Sequence, residues 1–119
     1  MIVTYIIEGT LPGMNEIIAE ARKHPMASAN QKKTYTLLCK LSCLRVKKIR
    51  QPVNITLRWT EKNKRRDPDN IRAGAKFIFD GLVQAGVLED DRRGNILSIM
   101  DVFEEPDAKN PRVVVEISY

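Results

Sequence analysis

Residues 53 to 59 alternate between apolar and polar side chains, and this pattern limits the fold more than any other part of the chain. The apolar positions are Val53, Ile55, Leu57 and Trp59. Because successive side chains of a strand point to opposite faces, the pattern predicts a strand with one buried face and one wet face. The chain must therefore build a sheet that is covered on one side.

The other elements follow from similar patterns. Residues 2 to 8, 96 to 104 and 112 to 119 are rich in β-branched residues and predict three more strands, the last two forming a hairpin. Apolar spacing predicts helices from Asn15 to about Arg22, from 27 to about 46 and from 70 to about 85. Asn15 and Asp69 are the expected N-caps, and Gly86 the expected left-handed C-cap. This order predicts an α+β fold, a small mixed or antiparallel sheet of about four strands packed with about three helices.

Composition sets the broad class. The 119 residues, 43% of them hydrophobic, predict one folded domain spanning residues 1 to 119. No apolar run approaches the roughly 20 residues that cross a bilayer, and residues 1 to 5 enter a strand directly rather than a signal peptide. We therefore expect a cytoplasmic protein without a membrane partner.

Two cysteines and a net charge of +5 limit the chemistry further. Cys39 and Cys43 lie one helical turn apart in an apolar stretch, and the single His24 is too little to complete a zinc set, so buried free thiols are expected. The positive charge favours a nucleic-acid partner only modestly.

Asp67 and Asp69 form the clearest chemical motif. They lie two residues apart, beside a basic run and just before a helix. Pro68 favours an extended Asp67, so both carboxylates can project to the same side. Two adjacent carboxylates repel each other unless a cation neutralises them, which predicts a site for Mg²⁺, with Mn²⁺ as a substitute.

A third acid and a lysine would complete such a site. Asp91 or its neighbour Asp90 could supply the third ligand if the following strand runs back alongside. Lys76 comes seven residues after Asp69, nearly the same helical face, although the rise is roughly 10 Å. Asp80 shares that face and is an alternative salt-bridge partner for Lys76.

Basic residues could hold DNA beside these acids. Residues 62 to 66 carry four positive charges and no apolar anchor, which predicts a loop that becomes ordered on an anion; the cations are Lys62, Lys64, Arg65 and Arg66. Lys32 and Lys33 on the second helix contact DNA or form a solvated face. The alternative for the acids is equally simple: Asp69 caps a helix, Asp67 pairs with Arg65 or Arg66, and Asp90 and Asp91 decorate a turn.

The run RRDPDNIRAGAKFIFDGLVQAGVLEDD, residues 65 to 91, resembles the signature of the RusA family of Holliday junction resolvases. The shared pattern is Asp-x-Asp-Asn, then Lys-x-x-x-Asp-x-Leu, then Ala-Gly and an acidic pair. The turn GTLPGMN, residues 9 to 15, resembles the family's Pro-containing turn more weakly. The chain has three more residues between the Asn and the Lys than the best-known bacterial member, as in the longer phage and Gram-positive variant.

The resemblance implies a small homodimeric, magnesium-dependent endonuclease that nicks four-way DNA junctions symmetrically, in recombination and repair. It assigns metal binding to Asp67, Asp69 and Asp91, catalysis to these acids and Lys76, and DNA binding to the basic residues and Asn15. No small-molecule substrate or other cofactor is implied. Because Lys76 is matched only from the Asp80 side, Arg72 is an alternative cation, and Asp90 remains an alternative third ligand.

Two rival functions remain open. One is a basic DNA-binding or junction-binding protein without chemistry. The other is a metal-dependent nuclease that acts on flaps or duplex DNA, with the same site and a different substrate.

Overall fold

The computed structural model describes residues 1 to 119 and contains four strands and four helical segments. Their bounds, in chain order, are β1 (Ile2–Glu8), α1 (Met14–Lys23), α2 (Pro25–Ser42), β2 (Val53–Thr60), α3 (Pro68–Arg72), α4 (Ala75–Gln84), β3 (Ile96–Phe103) and β4 (Arg112–Ser118). The α+β prediction is confirmed, and each predicted strand lies within a residue or so of its observed bounds. No helix has the length and apolar character needed to cross a bilayer.

The four strands form one mixed sheet in the order β1-β4-β2-β3. β4 runs antiparallel to both β1 and β2, and β3 runs parallel to β2 at the edge. The predicted hairpin between the last two strands is therefore wrong. The reason is burial, since β4 buries Val113, Val115 and Ile117 and suits the centre, whereas β3 buries only Ile96.

The helices cover one face of the sheet, as the alternation of β2 predicts. Val53, Ile55, Leu57 and Trp59 are all buried in a single core cluster, while Asn54 on the opposite face is exposed. Cys39 and Cys43 are free thiols buried in that core, as expected. Helix α2 approaches α4 closely at Gly81, where an added Cβ would lie 2.7 Å from the Cys39 Cβ.

The first two helices begin and end elsewhere than predicted. Helix α1 is capped by Gly13, and Asn15 lies inside it, because the Glu16 side chain accepts the Gly13 N–H at 3.4 Å. Helix α2 starts at Pro25, whose fixed backbone angle suits a first helical turn, and the His24 ring accepts the Met26 N–H. It ends at Ser42, four residues before the predicted end.

The third predicted helix is broken. Instead of one helix over residues 70 to 85, α3 and α4 are separated by a tight turn in which the Gly74 N–H donates to the Ile71 carbonyl at 3.1 Å. Leu11 packs against this turn so closely that a Cβ on Gly74 would lie 2.9 Å from the Leu11 Cβ. The N-cap of α3 is Asp67 and not Asp69, because the helix begins at Pro68. The left-handed Gly86 after α4 is confirmed, with φ of 77°.

Candidate functional site

Asp67 and Asp69 lie at the start of α3, on the crossover from β2 to β3. Asp67 is extended, with ψ of 157°, and precedes Pro68 at the first helical position. Both aspartates are exposed, and neither forms an ion pair. The carboxylate of Asp69 accepts only the N–H of Asn70, at 3.0 Å. The alternative in which Asp67 pairs with Arg65 or Arg66 is therefore wrong, and the acid pair is open to solvent.

The turn before α1 is fixed against the acid pair by Asn70. The Asn15 backbone N–H donates to Asn70 Oδ1 at 3.0 Å. Gly13 lies so close that an added Cβ would meet Asn70 Oδ1 at 2.5 Å and the Asn70 carbonyl oxygen at 2.7 Å. The backbone of Asn15 therefore has a structural partner, while its side chain is exposed beside α3.

Arg66 points inward, unlike the rest of the basic run. Its Nη1 donates to the Leu11 carbonyl at 3.1 Å and to Glu16 at 3.2 Å, and its Nε lies 3.2 Å from Glu61 Oε1. Burial raises the pKa of Glu61, and the nearby Arg66 charge opposes that rise. The segment has no apolar anchor, as predicted, but Arg66 is held by carboxylates of the protein itself, Glu16 on α1 and Glu61 directly before the basic run.

Lys62, Lys64 and Arg65 are the cations left facing solvent in this run. Lys64 lies 3.3 Å from Glu105, but both side chains are largely exposed, so the pair contributes little stability. The Arg65 N–H donates to Asn63 Oδ1 at 3.0 Å, which shapes the loop just before the acids. These three side chains form an exposed positive surface next to α3.

Lys32 and Lys33 lie elsewhere. Both are exposed on α2 and line a surface groove together with Gln84 at the C-terminal end of α4. No residue of α3 lines this groove.

Lys76 does not share a helical face with Asp69, because the break at Gly74 interrupts the helix. Its Nζ lies 3.0 Å from Asp80 and 3.2 Å from Asp91. The hydrogen bonds that Lys76 donates to Asp80 and Asp91 raise the pKa of Lys76, and the hydrogen bond to Asp91 lowers the pKa of that carboxyl. The alternative in which Asp80 is the salt-bridge partner of Lys76 is therefore confirmed.

Asp90 does not contact this lysine. Its Oδ1 accepts the Asp91 N–H at 2.7 Å, and its other oxygen lies 2.7 Å from Arg92 Nε. Asp91 is thus the distal acid that meets the helix lysine. Nowhere in the chain do three or more His, Cys, Asp or Glu side chains form a cluster that could hold a metal ion. Asp67, Asp69 and Asp91 are accordingly not assembled as one ligand set.

Asp101 was not among the site residues predicted from the sequence. This residue pairs in register with Leu57 of β2, so its side chain lies on the helix-covered face of the sheet. Its two oxygens accept from Trp59 Nε1 at 2.8 Å and from Arg72 Nε at 2.7 Å. No signal for this position was available in the sequence, because β3 does not alternate between apolar and polar residues and its register against β2 shifts between Val53 and Asn54.

No protein-family model matches this chain, and no curated protein matches it at a significant level. The resemblance to a nuclease family therefore depends on the motif residues themselves, chiefly those between 65 and 91.

Proposed function

We propose that this protein is a magnesium-dependent endodeoxyribonuclease of the RusA type, which resolves four-way DNA junctions by paired symmetric nicks. The observation that carries the proposal is the exposed, unpaired acid pair Asp67 and Asp69 at the start of α3. The motif that resembles the family continues from this pair to Asp91. A homodimer would suit the two-fold symmetry of a junction, with one acid pair for each of two equivalent strands.

The acid pair has the donor chemistry that Mg²⁺ prefers. The ion usually keeps several waters and takes only one or two protein carboxylates together with substrate phosphate oxygens. Asp67 and Asp69 offer carboxylate oxygens that no cation of the protein occupies, so they would hold the ion. Bound there, Mg²⁺ would supply charge neutralisation at the phosphodiester and a more acidic water. Lys76 contacts only Oδ2 of Asp91, which leaves Oδ1 for the third ligand position that the motif implies.

The chain's own cations would handle the DNA backbone. Lys62, Lys64 and Arg65 are exposed immediately before the acid pair and would bind phosphates. Arg66 would hold the loop in place through Glu16 and Glu61 rather than bind DNA. Lys76 is held by two carboxylates and would balance their charge until a ligand displaces one of them.

The test is cleavage of a labelled synthetic four-way junction and of a matched linear duplex, each with Mg²⁺, with Mn²⁺ or with EDTA. We expect paired nicks on the junction only, lost with EDTA and in Asp69→Asn, while junction binding persists. Glu8→Gln is the matched control, because Glu8 is an exposed carboxylate on β1, at the sheet edge opposite β3. Normal cutting by Asp69→Asn would refute the assignment of the acid pair.

A second candidate function is junction binding without chemistry. It is favoured by the exposed cations Lys62, Lys64 and Arg65, which would bind DNA phosphates without a metal. Tight binding with no cuts under either metal would support it, and cuts on flaps or duplex as well as junctions would instead indicate a nuclease of broader substrate range.

A further inference from the structure

The side chain of Asp101 is held in place by a residue of the hydrophobic core. Trp59, which is 1% exposed, donates its indole N–H to Asp101 Oδ1 at 2.8 Å. The indole N–H is a donor that needs a partner when buried, so the Trp59 ring determines where this carboxylate lies. Both residues lie on neighbouring strands β2 and β3, which are rigid elements of the sheet.

The other oxygen of Asp101 fixes Arg72. Arg72 Nε lies 2.7 Å from Asp101 Oδ2, a charge-assisted hydrogen bond at the short end of its range. Because only Nε is used, the two Nη groups keep their donors, and the Arg72 side chain is 46% exposed. The guanidinium is thus held at one nitrogen and open at the other two.

Arg72 lies next to the acid pair. It follows Asp69 by three residues on α3, a spacing that makes side chains neighbours on a helix surface. Lys76, the lysine of the motif, is by contrast bound to Asp80 and Asp91. Arg72 keeps both Nη groups free and has a carboxylate that orients it, whereas two of the three N–H donors of Lys76 are occupied.

We propose that Arg72 binds the scissile phosphate beside Asp67 and Asp69, and that Asp101 and Trp59 are positioning residues that hold its guanidinium there. This inference rests on the proposed nuclease function. A guanidinium presents paired donors that match two phosphate oxygens, and it stays charged at every pH at which the enzyme works. Asp101 uses one edge of the guanidinium and leaves the rest for the phosphate.

The experiment measures single-turnover cleavage of the junction by Arg72→Gln, Asp101→Asn and the double variant. Removing a donor that meets developing charge costs about 100-fold or more, so we expect that loss in Arg72→Gln. Asp101→Asn keeps an acceptor for Trp59 and loses the charge, and misplacing Arg72 should cost about 10- to 100-fold. In the Arg72→Gln background, Asp101→Asn should cost nothing further, which a merely structural role would not produce.

The control ion pair is Asp107, in the segment between β3 and β4, with Arg112 at the start of β4, whose atoms lie 3.3 Å apart. Arg112→Gln and Asp107→Asn should cut at the wild-type rate. Urea unfolding of every variant checks that the fold survives. If Arg72→Gln cuts normally while Asp69→Asn does not cut, the Arg72 inference is overturned and the nuclease function stands.

Binding to the junction without metal gives a readout that does not need cleavage. A residue that binds one phosphate contributes about one unit to the slope of log affinity against log salt concentration. Arg72→Gln should therefore flatten that slope by about one unit, and Arg112→Gln should not. An unchanged slope in Arg72→Gln overturns the inference even if the wild-type protein proves inactive.

Discussion

Asn70 Oδ1 accepts the backbone N–H of Asn15 at 3.0 Å, joining the turn before α1 to α3 across 55 residues of sequence. Asn70 directly follows Asp69, so the same contact determines the orientation of α3 and of the acid pair. We expect Asn70→Ala to lower the free energy of unfolding by about 1 kcal/mol, since the hydrogen bond is exposed. The cleavage rate should fall by more than this loss of stability explains. Urea unfolding measures the effect on stability, and single-turnover cleavage measures the effect on the reaction.

Gly13 provides a steric test of the same junction. A Cβ there would lie 2.5 Å from Asn70 Oδ1 and 2.7 Å from the Asn70 carbonyl oxygen. Relief of the second contact requires a shift of the backbone, which costs free energy. We expect Gly13→Ala to destabilise the protein by about 1 to 3 kcal/mol in urea unfolding and to impair cleavage. Gly94→Ala is the control, because a Cβ at Gly94 would meet nothing within 4 Å. Equal stabilities of the two variants would contradict the close approach.

Arg65 and Arg66 are adjacent in sequence, but their substitution should affect different properties. Stability should depend on Arg66, and junction binding should depend on Arg65. Arg66→Gln leaves Glu61 without its cation in a largely buried place and should cost about 2 kcal/mol of stability. Arg65→Gln should leave stability within about 0.5 kcal/mol, because its side chain is exposed. It should instead weaken junction binding and flatten the salt dependence. Thermal unfolding and fluorescence anisotropy measure the two quantities separately, and the reverse pattern would refute the inward position of Arg66.

The buried thiols predict a loss of stability at high pH. Burial raises the pKa of Cys39 from 9.0 to about 12, and burial likewise raises the pKa of Cys43 and Tyr5. A group whose folded pKa is raised contributes stability below its unfolded pKa and loses it as pH rises through the folded pKa. The free energy of unfolding should therefore decline from about pH 9 towards pH 12.

Cys39→Ser tests this pH dependence, because serine does not ionise in that range. Its unfolding free energy should decline less steeply between pH 9 and pH 11 than that of the wild type. In the folded wild type at pH 8, both thiols should react with iodoacetamide only after urea is added. Rapid labelling without urea would contradict their burial.

Local patterns in the sequence predicted the elements well and their arrangement poorly. The alternation of apolar and polar residues in β2 correctly predicted which side chains face the helices, because the alternating direction of side chains is a property of the strand alone. The position of β4 between β1 and β2 depends on partners far away along the chain, which no local period encodes. The helix break at Gly74 depends on Leu11 in the same way.

The residues of the candidate site show the same contrast between local patterns, which can be read from the sequence, and contacts with other parts of the chain, which cannot. Asp67 and Asp69 were readable because their spacing and the basic run are local features. Arg66 looked like another DNA cation because Glu16, which helps to hold it, lies 50 residues away, and no local pattern showed that the nearby Glu61 is buried. Asp101 could not have been found from the period of β3, because that strand shows no alternation of apolar and polar residues and its register against β2 shifts between Val53 and Asn54.

The central position of β4 also affects how the protein is made. Ile2 pairs with Ser118 and Glu8 with Arg112, so β1 has no strand partner until residues 112 to 118 have been synthesised. Strands β1 and β2 are joined in the sheet only through β4, so their connection also requires residues 112 to 118. Such pairings between distant parts of a chain close slowly. A ribosome that has translated only as far as β3 therefore holds a chain whose candidate acids are complete but whose first strand is unpaired.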